Sequence, residues 1–255
     1  MMIFLKCFFR LFLILALSAT LATQTGASEL QSIRTSLDEG YTEGVNYAIL
    51  EVLAQRLNVD LELRVAPFQR QLFFMQTGTI DIMIGLLKRP EREDYIHFAS
   101  PPYKNRSDTV FFLRRNQPPG MIRTYEDLRK LRIGTITGAK YFPRFDKDYT
   151  LVKEGIPSLA ANVDKLLLGR LDTLIAADAT AIDMIYRLGK CDQVHMADFR
   201  YAGTKEVFVG ISKKSPWMAE RQRVEQVIRK MIEAGEFRRI MKAYYVEKNL
   251  PVPAM

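Results

Sequence analysis

Residues 78–103, GTIDIMIGLLKRPEREDYIHFASPPY, constrain the fold of this chain more than any other stretch. Within them, 80–87 is apolar at nearly every position apart from one acid, Asp81. A half-wet strand alternates apolar and polar residues, so this run predicts a central strand of a parallel sheet, covered on both faces. It empties into Lys88, Arg89, Glu91 and Arg92. Open α/β sheets hold ligands at the carboxyl ends of their strands, so charge at this end predicts a site.

The flanking sequence builds one α/β unit. Residues 30–36 form a short extended candidate, followed by a polar turn at Asp38, Glu39, Gly40 and Tyr41. Val45, Ile49, Val52, Leu53 and Leu57 recur at helical spacing, with Asn58 as the stop. Residues 59–65 alternate as a strand, Pro67 ends it, and 68–76 reads as a second helix closed by Thr77-Gly78. The pattern β-α-β-α-β over about 55 residues is that of a doubly wound sheet.

After Pro101-Pro102-Tyr103 comes a strand at 108–114, then a Pro- and Gly-containing linker at 116–120. A second unit starts there. Thr124 and Asp127 make a capping-box-like start for a helix at 125–130, and 131–135 is a strand entering the Thr137-Gly138 turn. Helix 158–168, strand 171–177 and helix 179–188 follow, the helices closed by Gly169 and Gly189. The charged run YFPRFDKD lacks metal-loop spacing and reads as a surface loop. Residues 205–211 return to strand, and the tail is helical at 218–234 and 237–245 around Gly235. Strands 109–113 and 207–211 flank the central unit, so the chain is expected to leave one lobe and come back through two hinge strands.

The first residues carry Lys6 and Arg10, an apolar run at 11–17 and small residues through Ala27. That run is well short of the roughly 20 residues a membrane span needs, so 1–27 reads as a cleaved signal peptide and the product as periplasmic. Cleavage removes two basic residues and no acid, taking the net charge from +8 to +6. Only Cys191 is left, so no internal disulfide forms. His97, Cys191 and His195 do not make a zinc set, and neither metal nor cofactor is expected. The basic residues are scattered and come without an aromatic-basic RNA motif, which argues against nucleic acid.

Taken in order, several blocks resemble the amino-acid-type periplasmic solute-binding proteins of ABC transporters, family 3 of the bacterial extracellular solute-binding proteins. They are GTIDIMIGLLKRPERED with FASPPY, then YEDLRKLRIGTITGA, LLLGRLDTLIAADATA, VFVGISKKSP and IEAGEFRRIMKAYY. The resemblance implies a type II two-lobed α/β clamp, with lobe 1 at 28–114 and 205–255 and lobe 2 at 115–204. It implies a monomeric, non-enzymatic binder that closes on a small polar or anionic solute, an amino acid or related carboxylate, and hands it to an inner-membrane ABC permease or to a sensor protein.

Carried over residue by residue, the resemblance gives Arg92 as the carboxylate grip and Asp178 as the acceptor of a ligand ammonium from the other lobe. Phe68 and Tyr41 are the aromatics against the ligand, and Thr137-Gly138 supplies backbone amides at a helix start. Arg89 stands where the family presents a carboxylate-binding threonine, and Ala139 and Lys140 follow Gly138 where it presents a hydroxyl. Arg70 is a candidate for the cleft rim, while Asp81 and Asp172 are expected to be structural. The alternative on the same scaffold is a dehydratase acting on small cyclic carboxylates, with Glu91, Asp178 or Lys140 as acid or base.

Overall fold

The computed structural model describes residues 30–38 and 43–252. The expected signal peptide at 1–27 and Tyr41 lie outside the described residues. None of the described helices is long and apolar enough to cross a membrane.

The chain opens with strand β1 (Ser32–Leu37), helix α1 (Val45–Leu57), β2 (Asp60–Val65), α2 (Phe68–Thr77) and β3 (Ile82–Leu87). Helix α1 stops where Asn58 takes a left-handed conformation, φ 53°, its amide donating back to the carbonyls of Ala54 and Gln55. Helix α2 stops the same way at Gly78, φ 78°. Both ends were legible as local chemistry.

β1 and β2 pair in parallel register. β3, expected at the centre of a parallel sheet, instead pairs antiparallel with β10 (Thr204–Ser212), which also pairs antiparallel with β4 (Ile96–Arg106). Its apolar run reports burial and not direction. Ile82 and Ile84 enter one core while Met83 and Leu86 enter another. The alternation slips at Gly85, whose φ of +76° produces a bulge opposite β10. On its other side, β3 meets β1 through the Asp81 amide bonded to the Arg34 carbonyl at 2.7 Å and the Thr35 hydroxyl bonded to the Ile82 carbonyl at 2.8 Å.

The second sheet has five strands. β6 (Arg132–Ile136) pairs in parallel with β7 (Val152–Ile156) and with β8 (Thr173–Ala177). β5 (Thr109–Arg114) runs antiparallel between β8 and β9 (Val194–Tyr201). The strand that the sequence grouped with lobe 1 is therefore hydrogen-bonded into the second sheet. Its apolar side chains serve that sheet's two cores, Phe111 and Leu113 on one face and Val110 and Phe112 on the other. The chain passes between the sheets twice, at Ser107-Asp108 and at Ala202-Gly203. Helices α5 (Leu159–Leu167) and α6 (Asp178–Arg187) pack on one face, and the short α4 (Pro143–Lys147) brings Phe145 to the other.

The tail supplies α7 (Arg221–Glu233) and α8 (Glu236–Glu247), which pack back on the first sheet. Trp217 is fully buried there, and its indole N–H donates to the Ser32 carbonyl at 2.9 Å. The whole is a two-lobed α/β fold with sheets flanked by helices, as expected. Two strand-level readings differ. Pro101-Pro102, placed by the sequence ahead of the strand at 108–114, lies inside a strand of its own, β4, in a bulge where β10 skips register. β7 and β9 were not anticipated, because their polar residues mask the period of two.

Candidate functional site

The charged loop after β3 folds at once into a single helical turn, α3 (Pro90–Glu93). Pro90 at the first helical position presets the turn, with the Arg89 carbonyl accepting from the amides of Arg92 and Glu93. This turn carries Arg92 back over the end of β3. Its Nη1 donates to the Leu87 carbonyl and its Nη2 to the Gly138 carbonyl, both at 3.1 Å. One bond stays within the first sheet and the other crosses to the second, so Arg92 bridges the lobes. The guanidinium sits 5.5 Å from the centre of the Phe68 ring, which lies at the start of α2. Only 4% of Arg92 is exposed, and burial pushes its pKa below the ordinary arginine value.

Arg92 and Phe68 line a cavity of about 230 Å³ walled by both sheets. That volume is near the lower end of ligand pockets, which start at roughly 300 Å³, so it suits a small solute. The first sheet's side contributes Asp38, Asn46, Gln71 and Gly85, the second Ala139, Lys140, Tyr141 and Thr180. The strands that cross between the lobes add Lys104, from the end of β4, and Lys205, from the start of β10.

Those two lysines are the residues that sequence reasoning missed. Lys104 is 8% exposed, and burial lowers its pKa against the opposing pull of Asp178 and Asp108. Lys205 donates to the Thr109 hydroxyl, and burial lowers its pKa to about 8. A lysine beside a strand reads as a wet edge in sequence. Only the meeting of two distant strand ends buries both.

The expected site residues divide. Arg92, Phe68, Ala139 and Lys140 come together on the cavity, with Gly138 tied to Arg92 beside them. Asp178 is the first residue of α6, buried, with its carboxylate accepting from the adjacent Ala179 amide at 2.7 Å; the N-cap position is Ala177, which has no side-chain cap. Its charge also acts on Lys104 and Lys205. Arg89 stands one step from the lining, its Nε buried without a hydrogen-bond partner.

Thr137 and Ala139 do not offer amides at a helix start. Their N–H groups already donate to the carbonyls of Ile156 and Ile136, and α4 begins only at Pro143. Arg70 lies outside the lining, with its guanidinium 4.9 Å and 5.2 Å from the ring centres of Phe73 and Phe74. Asp81 and Asp172 are structural, as expected, paired to Arg34 and Arg132.

A sequence profile of the bacterial extracellular solute-binding proteins, family 3, matches residues 32–247. No curated protein sequence matches the chain. Among solved structures, an ancestral arginine-binding protein bound to arginine superposes with a TM-score of 0.70 at 17% identity, covering 84% of this chain and 98% of that one. The amino acid ABC transporter substrate-binding protein AbpA of Streptococcus pneumoniae, bound to L-arginine, gives 0.71 at 18% identity, covering 85% and 95%. A histidine kinase sensor domain similar to periplasmic binding proteins gives 0.68 at 16%, covering 85% and 96%. At such identities the likeness carries the fold.

Proposed function

Because this chain belongs to the bacterial extracellular solute-binding proteins, family 3, we propose that it is a periplasmic receptor that closes its two lobes on a small amino-acid-type solute and delivers it to an inner-membrane ABC permease. The observation that carries this reading is Arg92, buried on the inter-lobe cavity and reaching carbonyls on both sides of it. A guanidinium fork matches a carboxylate with two parallel hydrogen bonds. A solute held by groups from both lobes binds the closed state better than the open one, and that difference drives closure. Lobe 1, with Phe68 and Arg92, and lobe 2, with Ala139 and Lys140, supply the two jaws. On this reading the capture is binding without chemistry.

A thermal-shift screen of L-amino acids and small carboxylates tests the reading. A true ligand at a hundred times its Kd adds about 2.7 kcal/mol of stability by linkage. Arg92→Ala should abolish the shift, while Lys242→Ala, on the exposed face of α8, should keep it. No shift from any solute, or a shift that survives Arg92→Ala, overturns the proposal.

A further inference from the structure

The ligand class can be read from the charge that lines this cavity. Four cationic side chains face it: Arg92, Lys104, Lys140 and Lys205. Arg89 adds a fifth, close enough to act on both Arg92 and Lys205. Two of the nearby acids are matched by arginines outside the lining. Asp183 is held by the Tyr244 hydroxyl and lies 3.4 Å from Arg187, and Asp108 lies 3.6 Å from Arg200. That leaves Asp38, Asp146, Asp178 and Glu91, which acts on Arg92, against the five cations. Asp146 also accepts from the Tyr141 amide at 3.0 Å.

The excess is positive, and its two buried members, Arg92 and Lys104, lie where water is scarce. A cationic cargo would meet like charge there, at a cost that low dielectric magnifies. A neutral side chain would leave the excess uncompensated. The cations also come from different elements. Arg92 sits at the carboxyl end of β3, whereas Lys104 and Lys205 sit on neighbouring strands at the crossings between lobes.

We propose that the cleft takes a small solute bearing two carboxylates, one gripped by Arg92 and the other facing Lys104 and Lys205. This rests on the cleft being the ligand site and names the class of ligand that it selects. L-glutamate and a five-carbon dicarboxylate such as glutarate belong to that class. L-arginine does not, although relatives of the same fold bind it. Lys104 and Lys205 act as the selecting groups, because removing the ligand's second charge leaves them unpaired.

Calorimetric titration with L-glutamate, glutarate, L-glutamine and L-arginine tests this. The glutamate–glutamine pair isolates the second carboxylate at nearly constant shape. The expected result is that L-glutamate or glutarate binds at least tenfold tighter than L-glutamine, with L-arginine weakest. Lys104→Met and Lys205→Met should each cut the preference for glutamate over glutamine by about tenfold, with far-ultraviolet circular dichroism confirming the fold. Tightest binding of L-glutamine or L-arginine, or a preference unchanged in both variants, overturns the inference and leaves solute capture standing. If none of the four binds and no other amino acid or carboxylate does, the capture reading falls and this one falls with it.

Discussion

Two clusters of charge sit at opposite ends of β3, and they are built differently. At the amino end, Asp81 is 2% exposed and every acceptor position on it is used. Its Oδ1 accepts from Arg34 Nη2 and the Ser215 hydroxyl, both at 2.6 Å. Its Oδ2 accepts from the Arg34 amide at 2.8 Å and Nε at 2.9 Å. At the carboxyl end, Arg92 and Lys104 are buried and Lys205 half-buried, with no carboxylate at ion-pair distance among the described residues. The first cluster is closed on itself and fixes the strand. The second lines a cavity and bonds only to neutral oxygens, the Leu87 and Gly138 carbonyls and the Thr109 hydroxyl, so its charge is not matched in place as that of Asp81 is.

The sharpest way to break this contrast is to remove the acid of the closed cluster. Asp81→Ala strands Arg34, the Ser215 hydroxyl and the Arg34 amide at once. It should cost about 2 kcal/mol of stability, because the Ser215 hydroxyl and the Arg34 amide lose their acceptor while the half-exposed Arg34 guanidinium turns to water. Urea denaturation measures this, and a loss below about 1 kcal/mol would place the pair with surface salt bridges. At the open end, Arg92→Ala should instead spare the fold and weaken solute binding by roughly 10- to 100-fold, from about 1.5–3 kcal/mol per charged hydrogen bond. Calorimetry and melting curves on the same variant separate the two effects.

A smaller effect comes from Lys205. The groups facing it are the Thr109 hydroxyl on β5, the Tyr201 ring on β9, Asp178 on α6, Asp146 on α4, and Asp108 and Arg89 in loops. Burial outweighs the acids among them, so its folded pKa of about 8 lies below its unfolded value. The unfolded chain thus holds the extra proton between about pH 8 and the ordinary lysine pKa near 10.4. Stability attributable to this group rises with pH across that window. Lys205→Met should therefore stabilise the unliganded protein at neutral pH, by an amount that shrinks as pH climbs above 8. A gain that grows with pH would contradict the burial argument. The smallest effect is at Phe68, where Phe68→Leu removes the ring under Arg92 and should weaken binding by about 0.5–1 kcal/mol, the size of an exposed cation–π contact.

Much of the architecture was legible because it rests on local chemistry. Helix α1 was bounded correctly by its apolar spacing and Asn58, and α5 by Ser158, whose hydroxyl accepts from the Ala161 amide. Burial of β3 was legible too, but its direction was not, since β10, its antiparallel neighbour, arrives more than a hundred residues later. The site divided along the same line. Arg92 and Phe68 were readable from motif and position. Lys104 and Lys205 were not, because each is an ordinary strand-end lysine until the two lobe crossings meet. Arg70 is not among the cavity-lining residues, because a helix surface offers its guanidinium the rings of Phe73 and Phe74.

The central claim is that both lobes hold one solute around Arg92. A crystal structure of the protein with whichever solute stabilises it most tests this directly. The account predicts a ligand carboxylate within hydrogen-bond reach of the Arg92 guanidinium, with further contacts from residues of both sheets, Lys104 or Lys205 among them. A ligand touching one lobe alone, or bound away from Arg92, would contradict it.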